Sequence, residues 1–228
     1  MDVRKTYKLF VNGEFVRSES GRAYRPDGKV NVPRGSRKDL RDAVRAARTA
    51  FPGWAGRTAM NRGQILYRAA EMLDGRAAQF VELLGSGARA RRELDQAVET
   101  LVWYAGWTDK LSQVTGTVNP VAGPYALAAE SAPLAALTLA EVLATSDIPA
   151  GVVNIISGQR KELLGWLASH MDVNAIDVAG CTPEEVKAIE ESAAGNVKRV
   201  IKVTSKEQSP YLIAAFMEMK TIWHPIGV

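Results

Sequence analysis

Cys181 is the only cysteine in the 228-residue chain and therefore its only thiol nucleophile. It lies in Ala179-Gly180-Cys181-Thr182, a turn from a strand into a helix, and a helix N-terminus lowers a thiol pKa. Neither histidine, His170 or His224, adjoins it in sequence, so the spacing favours a small packing residue over a Cys/His nucleophile pair. The same turn offers backbone N–H groups of the kind that hold a phosphate. Pro183 removes one of those donors, and Glu184 and Glu185 add negative charge that suits the helix dipole and opposes a bound anion. A self-capped helix is the better reading. No G-x-G-x-x-G or G-x-x-x-x-G-K-[ST] loop occurs. One cysteine excludes an intramolecular disulfide framework and a Cys-rich zinc site, and two distant histidines weigh against a His-based metal site. Glu184, Glu185, Glu190 and Glu191 read as a solvated helix face, and Trp103, Tyr104 and Trp107 as core packing rather than a stacking platform. His170 reads as a cation at the end of a helix.

These residues need elements to position them. Lys8 to Val16 reads KLFVNGEFV, two apolar runs flanking Asn12-Gly13, which predicts a β-hairpin with a type I′ turn. Residues 19–37, rich in Gly, Pro, Ser and Arg, predict a surface loop. Asp39 is expected to cap a helix with the face Leu40, Ala43, Val44, Ala47 and Phe51, ending near Pro52-Gly53. A second helix carries Leu66, Ala69, Ala70, Leu73, Ala77, Phe80, Val81 and Leu84. A third runs from about Arg92 with Leu94, Val98, Leu101, Val102, Ala105 and Leu111. After the Gly/Pro-rich stretch GTVNPVAGP, short apolar strands alternate with helices. The strands are expected at 125–129, 152–156, 173–178 and 199–204, and the helices at 133–144, 161–168 and 182–194, the last opened by the capping box Thr182-Pro183-Glu184-Glu185. Alternation of this kind predicts βαβ units and a parallel sheet. Residues 211–219 read as helical, and Lys220 to His224 as a last strand.

The composition, 46% hydrophobic and 24% charged, belongs to a globular chain able to bury a core. The net charge is a mild +4. Arg89, Arg91 and Arg92 form a small basic group without interleaved aromatics, so a solvated face is favoured over a nucleic-acid footprint. The start, MDVRKTYKLF, lacks an apolar core of signal-peptide length and no apolar run is long enough to span a bilayer, which makes the cytoplasm the expected location and a membrane an unexpected partner.

Assembled in order, these segments resemble the aldehyde dehydrogenase superfamily over nearly the whole chain. KLFVNGEFVRSESGRAY is similar to its N-terminal hairpin, and DLRDAVRAARTAFPGWAGRTAMNRGQILYRAAEML to its first helices. LVWYAGWTDKL is similar to its long third helix, and APLAALTLAEVLATSDIPAGVVNIISG to its Thr-Pro-Leu … Leu-Pro-x-Gly-Val-Val-Asn stretch. VNAIDVAGCTPEEVKAIEESAAGNVKRV resembles its Phe-Thr-Gly-Ser-Thr helix, and FMEMKTIWHPIG its C-terminal strand. The fold so implied is α/β: an N-terminal hairpin and helices over residues 1–118, a reduced, incomplete Rossmann-like parallel sheet over 119–206, and an oligomerisation segment over 207–228, with the catalytic domain missing.

The departures from the family pattern bear on function. Between Pro124 and Tyr125 the family would carry an extended hairpin and the strand with its oxyanion-hole asparagine. Its Lys-Pro-Ser-Glu aligns with Leu127-Ala128-Ala129-Glu130, which keeps only Glu130. Its Gly-Ser-Thr-x-x-Gly becomes Gly180-Cys181-Thr182-Pro183-Glu184-Glu185. Its Glu-Leu-Gly-Gly base motif falls on Thr204-Ser205-Lys206-Glu207, and the domain with its nucleophilic cysteine has no counterpart. The resemblance therefore implies Glu130, Gly180 and Cys181 as remnants of a cofactor site, no catalytic residue and no metal site. No cofactor is expected, with at most weak NAD(P) binding. The implied function is a catalytically incompetent partner of a full-length aldehyde dehydrogenase in a hetero-oligomer, docked through Lys220, Thr221, Ile222, Trp223 and His224; a homo-oligomer is the other assembly. The alternatives are a residual NAD(P)-dependent aldehyde oxidoreductase using Cys181 and a non-catalytic nucleotide-binding module.

Overall fold

A computed structural model describes residues 5–111, 113, 118–119, 125–127, 130, 132–203 and 208–219. The hairpin pairs β1 (Leu9–Val11) with β2 (Glu14–Val16), Phe10 opposite Phe15. Asn12 and Gly13 adopt φ of 54° and 77°, the left-handed pair that a type I′ turn requires. Residues 19–37 are more than a surface loop. They contain the antiparallel pair β3 (Ala23–Tyr24) and β4 (Val32–Pro33), and Val32 is wholly buried.

Helix α1 (Arg37–Ala55) is capped by Ser36, not by Asp39. Asp39 is the third helical residue and completes a capping box, accepting the Ser36 N–H at 2.7 Å. The helix passes through Pro52, its last turn closed by the Gly56 N–H on the Pro52 carbonyl. The second expected helix is two, α2 (Ala59–Asp74) and α3 (Ala77–Leu83), because the chain turns at Gly75-Arg76 and Arg76 reaches Glu141 at 2.9 Å. Helix α4 (Gly87–Trp107) starts five residues earlier than its apolar stripe, its first turns carrying the i,i+4 pairs Arg89–Glu93 and Arg91–Asp95.

The alternating part gives β6 (Tyr125–Leu127), α5 (Leu134–Ala144), β7 (Asn154–Ile156), α6 (Arg160–Ser169), β8 (Ala175–Asp177), α7 (Pro183–Ala193), β9 (Arg199–Ile201) and α8 (Pro210–Ala215). The strand-to-strand pairs β6·β7 and β8·β9 are parallel, as βαβ units require. Among the described residues they do not join into one sheet. The first pair extends the hairpin in the order β2-β1-β7-β6, with Phe10 antiparallel to Ile155, and the second forms a two-stranded sheet of its own. Residues 211–219 are only partly helical, since Glu218–Met219 (β10) pair with Val118–Asn119 (β5). The expected oligomerisation residues 220–224 and the base-motif positions 204–207 lie outside the described residues.

Strand periodicity builds a layer on each side of the first sheet. Leu9 and Ile156 enter a core with Leu40 and Val44 of α1, Leu163 and Leu167 of α6 and Ile189 of α7. Phe10 and Ile155 enter another with Leu137 and Ala140 of α5. Helix α5, apolar nearly all round, is buried as its pattern predicts. No helix among the described residues is long and apolar enough to cross a membrane.

Candidate functional site

The site is built where β7 and β8 turn into α6 and α7. The first turn, Ser157-Gly158-Gln159, has no acceptor of its own for the helix it opens, for Gln159 makes no side-chain cap bond. Glu130 supplies one from 30 residues away, its Oε2 accepting the Arg160 N–H at 3.1 Å. A carboxylate here suits the positive end of the helix dipole. Arg34 adds a two-pronged pair to Glu162 in the first turn of α6 and holds that carboxyl below its usual range. The turn is pinned from behind, Ser157 Oγ donating to the Pro33 carbonyl at 2.6 Å and the Gly35 N–H to the Ser157 carbonyl at 2.8 Å.

The second turn caps itself. Thr182 Oγ1 accepts the Glu185 N–H at 3.3 Å, and Glu185 Oε2 accepts the Thr182 N–H at 2.9 Å. This is the reciprocal box read in the sequence, with Pro183 at the first helical position. Upstream, Asp177 Oδ1 accepts the N–H groups of Ala179 and Val203 at 2.8 and 3.2 Å. Gly180 has φ of +74°, a conformation that side chains other than glycine's rarely adopt.

Arg160 joins the two turns. Its main-chain N–H meets Glu130, while its Nη1 donates to the Gly180 carbonyl at 2.7 Å and lies 3.5 Å from Glu185 Oε2. Glu130 and Gly180, both read from sequence, are thus gathered around a residue that sequence reasoning missed. Nothing local marks Arg160, which reads as an ordinary surface residue before Lys161. Only the packing of α6 beside α7 brings its guanidinium to the second turn.

Cys181 is half-buried and packs against the core cluster of α1, α6 and α7. Its thiol pKa is raised rather than lowered. Burial pushes it up, Glu185 and Asp177 push the same way, and Arg160 only partly opposes them. Tyr24, whose buried hydroxyl has no partner among the described residues, is pushed up to about 12 by burial and by the Glu130 charge.

At the other end of α6 the expected role of His170 is corrected. Burial lowers its pKa and so disfavours the charged form, which makes it a poor cation for the helix terminus. That place belongs to Lys198, 7% exposed, whose Nζ donates to the His170 carbonyl at 2.7 Å. Asn196 Nδ2 donates to the same carbonyl at 3.2 Å. Trp103, Tyr104 and Trp107 pack chiefly on one another, with ring centroids 4.9 and 5.4 Å apart, and none is fully buried. Helix α4 buries Ala90 and Leu94 fully and packs Val98 and Leu101, partly buried, against the same core. Among the described residues no group of three or more His, Cys, Asp or Glu side chains is placed to hold a metal ion.

This α/β body, with two strand-to-helix turns joined through Arg160, was compared with known proteins. The sequence model of the aldehyde dehydrogenase family matches residues 24–127 and 126–215. The chain belongs to that family. Cytosolic 10-formyltetrahydrofolate dehydrogenase of Xenopus tropicalis is 28% identical over 257 residues, which take in 88% of this chain and 28% of that protein. An aldehyde dehydrogenase of Emericella nidulans is 28% identical over 241 residues, 84% of this chain and 48% of its own. In the solved NAD-dependent aldehyde dehydrogenase of Sinorhizobium meliloti, 22% identical, the fold superposes with a TM-score of 0.77 over 87% of this chain and 50% of that one. The chain thus spans half or less of the length of these relatives. The 257- and 241-residue matches are themselves longer than the 228-residue chain, so the relatives carry residues inside the matched span that this chain lacks.

Proposed function

We propose that this aldehyde dehydrogenase-family chain does not itself oxidise aldehydes and serves as a structural or regulatory partner of a full-length aldehyde dehydrogenase. The observation that carries the reading is the Arg160 network, in which the groups of both strand-to-helix turns are spent on one another. Glu130 caps α6, Glu185 closes back on Thr182, and the Gly180 carbonyl is taken by Arg160. Glu185 also sets a carboxylate at the mouth of the turn, where it would repel the phosphates of NAD(P). These residues fit a dinucleotide poorly. Cys181, partly buried and with a raised thiol pKa, lacks the electropositive setting that activates a nucleophile. The length missing within the matched span is consistent with the loss of the strand bearing the oxyanion-hole asparagine.

Docking is assigned to residues 219–225, whose alternation of β-branched and aromatic side chains suits a strand added to the sheet edge of another subunit. Pro225 ends the pairing because it has no N–H to donate. The cytoplasm is the compartment proposed for the assembly. Co-expression with a full-length aldehyde dehydrogenase from the same cell, followed by size-exclusion chromatography, tests the reading. Co-elution that is lost on deleting residues 218–228 is expected. Separate elution, or aldehyde-dependent NADH formation by the isolated chain that Cys181→Ser abolishes, would overturn it.

A further inference from the structure

Basic charge is distributed unevenly along this chain. The whole carries 29 Lys and Arg against 25 Asp and Glu, yet between Arg17 and Arg62 the balance is 12 against 4. Helix α1 concentrates it. At 3.6 residues per turn, Arg37, Arg41, Arg45 and Arg48 fall within a sector of about 80° that flanks the side burying Leu40, Ala43, Val44 and Ala47. The stripe is about 16 Å long at 1.5 Å per residue.

The arginines of this stripe are held in different ways. Arg37 stacks its guanidinium 3.6 Å from the centre of the Trp166 ring, which is 44% exposed. Arg48 donates to the Asp172 carbonyl and to Asn174. Arg41 meets only its neighbour Asp42, at 3.0 Å, and Arg45 is exposed with no ion-pair partner among the described residues. Lys38, beside the stripe, lies 3.7 Å from Glu19. The basic group of α4 that the sequence singles out is different. Arg89 and Arg91 are matched by Glu93 and Asp95 on their own helix, so that face is close to neutral.

We infer that the arginine stripe of α1, with Arg37, Arg41 and Arg45 and with Trp166 at its edge, is a docking surface for a carboxylate-rich face of a partner protein. Charge complementarity selects the occupant. The planar guanidinium fork binds carboxylates in two-pronged fashion, and a half-exposed Trp stacked by Arg combines the two side chains most often found at interface hot spots. A single aromatic ring offers no track for the successive bases of a nucleic acid. The surface is separate from the C-terminal strand and from the Arg160 network, so it stands or falls independently of both.

Fluorescence anisotropy with labelled poly-L-glutamate tests the inference, with oligothymidylate of equal charge as the phosphate probe. Poly-L-glutamate is expected to bind more tightly than the oligonucleotide. Its affinity should fall at least tenfold between 50 and 300 mM NaCl, roughly as expected for a few screened ion pairs. Arg41→Gln/Arg45→Gln should weaken binding about tenfold or more, while Arg89→Gln/Arg91→Gln leaves it within about twofold, since truncating hot-spot cations costs the most. All four sites are exposed, and circular dichroism verifies that both variants are folded. Tighter binding of the oligonucleotide, equal losses in the two variants, or self-association that Arg41→Gln/Arg45→Gln abolishes would each overturn the assignment.

Discussion

The turns before α6 and α7 have the same topological place, each at the end of a strand and the start of a helix, but they satisfy their helices by opposite means. The turn before α7 is local: Thr182 and Glu185, three residues apart, exchange side-chain and main-chain hydrogen bonds. The turn before α6 is borrowed. Its capping carboxylate comes from Glu130, its backing from Pro33 and Gly35, and its tie to the neighbouring turn from Arg160. A local cap keeps its helix formed whatever the rest of the molecule does. A borrowed cap couples the helix to three distant segments, and in doing so consumes groups that would otherwise face a ligand.

That contrast can be broken most severely from behind the first turn. A Cβ at position 35 would lie 2.5 Å from Ile156 Cγ2 and 2.8 Å from the Ser157 carbonyl, where the backbone has little room to give. Gly35→Ala is expected to cost about 2–3 kcal/mol in denaturant unfolding, the upper part of the range for overpacking. The Tyr24 region should be disturbed with it.

The far end of α6 offers a probe of the next size. Burial lowers the Lys198 pKa from 10.5 to about 8. Between those values the unfolded chain binds the proton that the folded chain has released, so stability rises with pH from about 8 towards 10. A gain on the order of 2 kcal/mol is expected across that window for a buried lysine. Lys198→Met should flatten the rise. Above pH 10 Tyr24 acts in the opposite sense, because its raised pKa makes the folded state keep a proton that the unfolded state loses.

Removing the local cap should cost less. Thr182→Ala is expected to lower stability by about 1 kcal/mol, and Thr182→Ser to restore most of it. The smallest effect separates the two kinds of turn most cleanly. Glu130→Ala should cost a few tenths of a kcal/mol, as the loss of one exposed charged contact does. That cost should vanish in a Gln159→Asp background, where the turn acquires a cap of its own. A persistent cost would show that Glu130 acts through something other than the Arg160 N–H.

The same contrast explains what was readable in advance. Asn12-Gly13 and Thr182-Pro183-Glu184-Glu185 carry their conformations in adjacent residues, and both are found as read. The apolar stripes gave α5 and the faces of α1 and α2, whereas the break at Gly75-Arg76 depends on Arg76 reaching Glu141 and has no periodic signature. Ser36 displaced Asp39 as the cap of α1 because both ends of a capping box carry side chains able to fill that role. Arg160, Lys198 and the capping use of Glu130 act between 20 and 30 residues away in sequence. Such pairings follow from how α6 packs beside α7 and not from any local pattern.

Calorimetric titration of the purified chain with NAD+ and NADP+ addresses the self-occupied turns most directly. No saturable heat is expected up to millimolar dinucleotide, because Arg160, Glu130 and Glu185 already satisfy one another. Saturable binding of either dinucleotide that is weakened by Glu130→Ala would contradict it.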